Sequence, residues 1–168
     1  KFEMSSTGKA VLREAETIIA AAAFNADRDS EDRAWIRYLT VKQSRQGEQL
    51  GPKLARKLSQ TLLEASFEQV QIAVNNPQAY RALYKAGFHF TGRETGIAEL
   101  VLAYPGPRER SPYLDGLSKF IDRDLPSRQA ILAEEWFEAG TVPPTGNGSS
   151  LPPSDERGES DGVPAGSP

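Results

Sequence analysis

Leucines recur at helical spacing between Pro52 and Ala65, with basic and polar residues between them. This period predicts an amphipathic helix that begins on Pro52, because proline suits the first helical position. In the following "EQVQIAVN" apolar and polar residues alternate, which predicts a strand with glutamines such as Gln71 on its polar face. A second, short helix is predicted for "PQAYRALYKAG", starting at Pro77 and capped by Gly87.

The first forty residues are predicted to form strands. "RAWIRYLTVK" is rich in aromatic and β-branched residues, which strands favour. The preceding "AETIIAAAAFN" is alanine-rich, so propensity alone favours a helix. However, it contains strand formers, and "NADRDSED" after it has turn chemistry, so we predict a hairpin. A shorter hairpin, of "KFEMSS" and "KAVLRE", is predicted before it.

The second half of the chain is predicted to add two strands, "FHFTGRE" and "IAELVLAY", and then two helices. Each of these helices carries an apolar stripe, which we expect to dock back onto the domain. The stripes are Leu114, Leu117 and Ile121, and then Ile131, Leu132 and Trp136. We predict a compact domain over 1–106, a helical extension over 107–138, and a disordered Pro/Gly/Ser/acidic tail over 139–168.

Composition narrows the range of functions. A net charge of -3 supplies no general basic field, so we expect no nucleic-acid partner. The chain has no cysteine and one histidine, His89, which argues against a metal site. It also lacks an apolar run long enough for a membrane span, so we expect no membrane partner and a cytoplasmic location.

Residues 41–53, "VKQSRQGEQLGPK", lead from a strand through a glycine-bearing turn into a helix. Such a turn leaves backbone N–H groups at the positive end of a helix dipole, where phosphate binds. An Asn-Pro helix that closes on Gly-Phe follows. On these motifs the stretch from Thr17 to Tyr104 resembles the GNAT superfamily of acetyl-CoA-dependent N-acetyltransferases. The resemblance implies a mixed α/β (α+β) fold, with a mostly antiparallel central sheet flanked by helices, and acetyl-CoA as acyl donor.

The resemblance assigns two segments to the cofactor. The family pairs the pantetheine arm with a strand, here Leu39, Thr40 and Val41. Its phosphate turn corresponds to Gln46, Gly47, Glu48, Gln49, Leu50 and Gly51. Gly51 fits the family pattern, whereas Gln49 stands where glycine is preferred, and glycine permits closer backbone approach to a pyrophosphate.

The third motif places Asn76 at the cofactor and proposes an acid. Asn76, with Gly87 and the phenylalanine after it, matches the family spacing. The tyrosine that commonly protonates the departing thiolate corresponds here to Leu83, with Tyr84 one residue later. One residue is a turn of about 100° on a helix. Tyr84, Tyr80 and solvent are therefore the alternatives for the acid.

The base is assigned by the same comparison. The family often uses a glutamate on the strand before the turn, and that position is Arg37, which cannot accept a proton at neutral pH. Arg37 is a candidate for binding an acidic substrate group, or else for pairing with Asp32 or Glu99. Glu99 and Glu94 are the base candidates, and we expect a structural role for the only histidine.

The sequence thus predicts direct transfer of an acetyl group to a primary amine of a small molecule or peptide. The rival prediction is a non-catalytic acyl-CoA-binding or regulatory module, which the residues at positions 37 and 83 favour. A scaffold that binds no nucleotide is the third functional hypothesis. For the oligomeric state, a homodimer is left open. The two helices that the family places between its first strands have no counterpart, so we expect the C-terminal helices to cover that side.

Overall fold

The computed structural model describes residues 1–5 and 7–145, and these form a seven-stranded sheet and four α-helices. The strands are β1 (Phe2–Met4), β2 (Lys9–Glu14), β3 (Thr17–Ala26), β4 (Arg33–Val41), β5 (Gln69–Val74), β6 (His89–Glu94) and β7 (Leu100–Tyr104). The helices are α1 (Leu50–Ala65), α2 (Pro77–Lys85), α3 (Arg110–Ile121) and α4 (Ser127–Ala139). The predicted mixed α/β fold and both N-terminal hairpins are confirmed.

The strand order is β1-β2-β3-β4-β5-β7-β6. Every neighbouring pair is antiparallel except β4 and β5, which run parallel and are connected through α1. A parallel pair needs such a crossover, whereas antiparallel strands can be joined by tight turns. In this strand order the parallel pair β4–β5 lies at the centre of the sheet, and the connection between the two strands contains the beginning of α1.

The hydrophobic core lies on one face of the sheet. Ile36, Ile72, Leu102 and Phe90 are aligned across β4, β5, β7 and β6 and belong to one buried cluster. Helix α1 packs against this half of the molecule, and its leucines at the predicted helical spacing are buried. The opposite face carries the alternate residues of the same strands, among them Trp35.

The C-terminal helices also pack on the core face. The ring of Tyr113 in α3 stacks on that of Tyr80 in α2 at 5.8 Å, and Phe120 meets the same ring edge-on at 5.6 Å. Helix α4 packs against α2 and α3. The predicted docking is thus confirmed, because the aromatic residues of α3 bury against α2 on the core face. That these helices cover the acceptor side stays a prediction.

A β-bulge in β4 changes which residues face the core. Phe24 pairs with Ile36 and Ala23 with Tyr38, so Arg37 is the extra residue on β4. Before the bulge the even-numbered residues of β4, such as Ile36, face the core; after it the odd-numbered residues do. Tyr38 is therefore 74% exposed, while Leu39 packs against the core. The bulge therefore places Arg37 and Tyr38 together on the outer face.

One element boundary and the burial of several side chains differ from the predictions. Helix α1 begins at Leu50, so Pro52 is its third residue; the proline is tolerated there because that N–H has no intrahelical acceptor either. Gln71 is 2% exposed, because Trp35 of β4 and Ala103 of β7 lie beside it on the same face of the sheet. In α4, Ile131 is exposed and Ala133 is the buried residue.

The end of the described chain is bound to the domain. After α4 ends at Ala139, Arg110 Nε donates to the carbonyl of Gly140 at 2.6 Å, and Arg108 donates to the carbonyl of Pro143. The first residues of the predicted disordered tail are therefore held by two arginines. The rest of that tail, residues 146–168, lies outside the described residues.

Candidate functional site

The two parallel strands separate and form a cleft between them. Their pairing ends at Ile36 and Ile72, although both strands continue. Beyond this point a cavity of about 240 Å³ opens. It is lined by Ile36, Arg37, Tyr38 and Leu39 of β4, Pro52 of α1, Ile72 to Val74 of β5, Asn75, Asn76, Ala79, Ala82, Leu83 and Glu99. The site is thus built where unpaired strand backbone meets two helices.

Backbone groups of β4 face this cleft. Lys42 N–H donates to the carbonyl of Ile19 at 2.9 Å, and hydrogen-bonded pairs alternate along an antiparallel ladder. Thr40 therefore bonds to β3, whereas the N–H and C=O groups of Leu39 and Val41 point away from β3 and toward the cleft. Of the three predicted strand residues, two offer free backbone groups and Thr40 does not.

The predicted phosphate turn leads directly into α1. Gly47 has φ +89°, and Gln49 adopts the left-handed conformation with φ +63°. That conformation favours glycine, so the strand-to-helix turn keeps the shape that the glycine pattern predicted, although its residue is glutamine. Because the first helical bond runs from Lys53 N–H to Gln49, the amides of Leu50 and Gly51 are free of intrahelical acceptors.

The start of α1 touches the cleft strand. A methyl group added at Gly51 would lie 3.6 Å from Val41 Cγ2 and 3.8 Å from Leu39 Cδ2, which is ordinary van der Waals contact. The helix N-terminus and the free backbone groups of β4 are therefore neighbours. This juxtaposition can accept a ligand that has amides at one end and phosphates at the other.

Charges near the turn pair with one another. Arg45 binds Glu48 and Glu14, each at 2.8 Å. The hydrogen bonds from Arg45 lower the pKa of Glu48, so its carboxylate stays ionised. Glu48 therefore turns toward this arginine, which accounts for an acidic residue beside a predicted phosphate turn.

Asn76 has a structural task that leaves part of its side chain free. Its Oδ1 caps α2 by accepting from Ala79 N–H at 2.8 Å, a strong N-terminal cap. Its Nδ2 makes only a long contact of 3.4 Å with Asn75 Oδ1. The residue lines the cleft, as the resemblance predicted, and the amide nitrogen is the group it can offer to a ligand.

The predicted acid residues do not reach the cleft. Tyr84 is fully buried, its hydroxyl accepts from Phe90 N–H at 2.8 Å, and burial raises its pKa. The hydroxyl of Tyr80 is also buried and donates to the carbonyl of Tyr113 at 2.9 Å. The residue that α2 presents to the cleft is Leu83. This placement does not support Tyr84 or Tyr80 as the acid, and of the three alternatives it favours solvent.

The base candidates are separated by the structure. Glu99 lines the cleft, whereas Glu94 pairs with Lys119 at 2.8 Å, whose hydrogen bond lowers the pKa of that carboxyl. His89 packs against Gly106, and burial lowers its pKa. Glu99 is therefore the candidate that the structure places beside the cleft.

The sequence did not predict that Tyr38 lines the cleft, nor that a basic and an acidic side chain, Arg37 and Glu99, border the same cavity. The bulge brings Arg37 and Tyr38 to the outer face, and Glu99 borders the same cavity. A signal for the bulge is present in the sequence, because the spacing of the core residues changes from two to three after Ile36. Arg37 does not form the predicted ion pair with Asp32 or Glu99; its Nε donates instead to Asn25 Oδ1 at 2.9 Å.

Among residues 1–5 and 7–145, no group of three His, Cys, Asp or Glu side chains could hold a metal ion. In the same part of the chain, no helix combines the length and apolar character that crossing a bilayer requires.

Comparison with known proteins gives one family. The sequence model of the acetyltransferase (GNAT) family matches residues 3–88, slightly more than half of the chain. No curated protein sequence matches. Among solved structures, yncA from Salmonella typhimurium, a candidate acetyltransferase with its cofactor acetyl-CoA, is 16% identical with a TM-score of 0.51; 62% of this chain and 67% of that chain are covered.

Two other solved structures have a similar fold. A candidate GNAT acetyltransferase from Desulfovibrio desulfuricans is 15% identical with a TM-score of 0.50, covering 58% of this chain and 69% of that chain. An aminoglycoside 6'-N-acetyltransferase complexed with coenzyme A is 11% identical with a TM-score of 0.50, covering 59% and 74%. At these identities the likeness concerns the fold.

Proposed function

Because the chain belongs to the acetyltransferase (GNAT) family, we infer that it is an N-acetyltransferase that moves the acetyl group of acetyl-CoA to a primary amine by direct attack. The observation that carries this proposal is the cleft between β4 and β5. There the free backbone groups of Leu39 and Val41 lie beside the N-terminus of α1. One ligand with amides and phosphates at suitable spacing fits both.

The cofactor would be held in three parts. The amides of its pantetheine arm pair with Leu39 and Val41 as an added strand would. Its pyrophosphate accepts hydrogen bonds from the amides of the turn over 46–51, at the positive end of the α1 dipole. The side-chain nitrogen of Asn76, a residue that lines the same cleft, would donate a hydrogen bond to the arm. Thr40 is left out of this proposal because its backbone bonds to β3.

The reaction needs little more than placement. The acceptor ammonium gives one proton to Glu99, directly or through water, and the neutral amine attacks the thioester carbon. A C–N bond forms and the C–S bond breaks, while the amine gives its second proton to solvent and the thiolate takes one proton from solvent. Holding the two reactants in line can supply about 7–11 kcal/mol of the barrier. No covalent enzyme intermediate is involved.

Replacing the tyrosine nearest the family's acid position should leave turnover intact. In Tyr84→Phe we expect kcat to stay within about twofold, because the hydroxyl is buried away from the cleft. We also expect a loss of about 1–3 kcal/mol in unfolding free energy, since the Phe90 N–H loses its acceptor. Denaturant melts and initial rates measure the two effects. A fall of about 100-fold in kcat without a loss of stability would restore Tyr84 as the acid.

Thiol release in the presence of an amine panel tests the proposed function. Purified protein is incubated with acetyl-CoA and one amine at a time, and free CoA and acetylated product are both measured. Release that depends on the amine, with matching product, supports the transferase. Binding of acetyl-CoA without turnover of any amine would instead favour the non-catalytic acyl-CoA-binding module. The burial of Tyr80 and Tyr84 is the observation that supports this alternative. Absence of binding would contradict both.

A further inference from the structure

Two opposite charges line the cleft without neutralising each other. Arg37 and Glu99 both border the cavity. Within the described residues, neither forms an ion pair, whereas Arg33 and Arg45 are each held by carboxylates. The separation of Arg37 and Glu99 therefore leaves one site for an anion and one for a cation at the same mouth.

The guanidinium of Arg37 is held in place before any ligand arrives. Its Cζ lies 4.8 Å from the centre of the Trp35 ring, and its Nε donates to Asn25 Oδ1 at 2.9 Å. The indole is fixed in turn, because Trp35 Nε1 donates to Asp27 Oδ2 at 2.9 Å. Since Nε is used, the two terminal nitrogens remain to bind, and such a pair matches the two oxygens of a carboxylate.

Glu99 reaches the same mouth from the other side of the cleft. Leu100, the next residue, pairs with Val74 and is buried in the core, so alternation places the Glu99 side chain on the outer face, where Arg37 also lies. Its Oε1 receives only a long contact of 3.5 Å from the hydroxyl of Thr95. The carboxylate is thus free to accept hydrogen bonds from an ammonium group.

We propose that the acceptor is a small amino acid, whose carboxylate is bound by Arg37 while its amine is presented to Glu99 and the thioester. The inference rests on the proposed function and names its substrate class. The cavity, at about 240 Å³, is smaller than the range typical of ligand sites, which suits a small acceptor beside the acyl end of the cofactor. Arg37 is thereby a specificity residue, and the bulge is what places it.

Amino acids and their α-amides test the proposal, because each pair differs only in the carboxylate. Glycine, L-methionine and L-phenylalanine are each compared with the corresponding amide at saturating acetyl-CoA. We expect kcat/KM of at least one acid to exceed that of its amide by about tenfold or more, as a charge-assisted bidentate bond allows. Amides have the less basic amine and so more free base, which biases the comparison against the proposal.

Substitutions assign the preference to its residue. Arg37→Gln should abolish it, mainly through KM, and Arg37→Lys should retain part of it. Arg93→Gln, which removes an exposed arginine on β6, is the matched control and should leave it unchanged. The affinity for acetyl-CoA should be the same in all of these variants. Equal kcat/KM for every acid and amide, or an equal loss for both in Arg37→Gln, would overturn the proposal.

Direct titration separates this proposal from the transferase itself. The same acids and amides are titrated by calorimetry into the protein with and without CoA. If acids bind in preference to amides, and the preference disappears in Arg37→Gln, the acceptor site stands even if no amine is acetylated; in that case only the proposed reaction fails. If neither form binds and no pair shows a kinetic preference, the acceptor proposal is wrong while the cofactor site is judged by acetyl-CoA binding alone.

Discussion

Gly51→Glu is expected to abolish the binding of acetyl-CoA, raising Kd by at least about 100-fold. Position 51 lies in the first turn of α1, where free amides and the helix dipole favour an anion. A glutamate there adds its own negative charge and bulk beside Val41, at the point where the turn meets the cleft strand. The lost contact with a phosphate and the added charge repulsion both lower the affinity for acetyl-CoA. Calorimetric titration of acetyl-CoA measures the change.

Gly51→Ala is the matched control. The added methyl group makes only ordinary contacts, and the φ of this residue does not require glycine, so the control should bind acetyl-CoA within about threefold of the original protein. Thermal melts of both variants establish that each is folded. Unchanged affinity in the glutamate variant would show that the turn is not where the cofactor's phosphates lie, whatever the rest of the fold implies.

The elements near this turn could be predicted because their signals are local. A change of apolar spacing from strand to helix, and an asparagine followed by proline, are read from a few neighbouring residues. The capping bond from Ala79 N–H to Asn76 is such a local device. The alanine-rich β3 could also be assigned, because the turn residues after it outweighed its helical propensity.

The parts of the site that could not be predicted depend on distant partners. The extra residue at Arg37 is defined by the register with β3, and the register is a property of two strands together. The left-handed backbone at Gln49 is imposed by the turn around it, against the preference of the residue. Tyr84 was one position from the family's acid, and which way that position faces is decided by the packing of α2 on β6.

The placement of the last two helices has the same origin. Their apolar stripes predicted that they would dock, but not on which face of the sheet. The aromatic cluster around Tyr80 decides this, since Tyr84, Phe90, Tyr113 and Phe120 all contact its ring. The outer face, with the mouth of the cleft, is thereby left to the side chains of the strands. The packing of α3 thus affects the acceptor site indirectly, through the face that it does not cover.

Gly116→Ala should therefore destabilise the whole domain. In an exposed helix this change is favourable by about 1 kcal/mol. In α3, however, the new methyl carbon would lie 2.1 Å from the Tyr80 hydroxyl oxygen and 2.5 Å from Cζ. Tyr80 is fully buried and cannot move away without disturbing the rings around it. Overpacking of a buried site costs typically 1–3 kcal/mol, and a clash with a confined ring falls at the upper end, so we expect a net loss of about 2 kcal/mol.

Comparison with the other helical glycine makes the test decisive. Gly51→Ala adds the same methyl group where it meets only ordinary contacts, so its unfolding free energy should stay equal or rise, while that of Gly116→Ala falls. Urea denaturation followed by circular dichroism measures both. Adding Tyr80→Phe removes the closest clashing atom, so its cost in the Gly116→Ala background should be smaller than in the original protein. If Gly116→Ala instead leaves the unfolding free energy unchanged or raises it, then α3 is not packed on Tyr80, and residues 107–138 are an appendage to the domain.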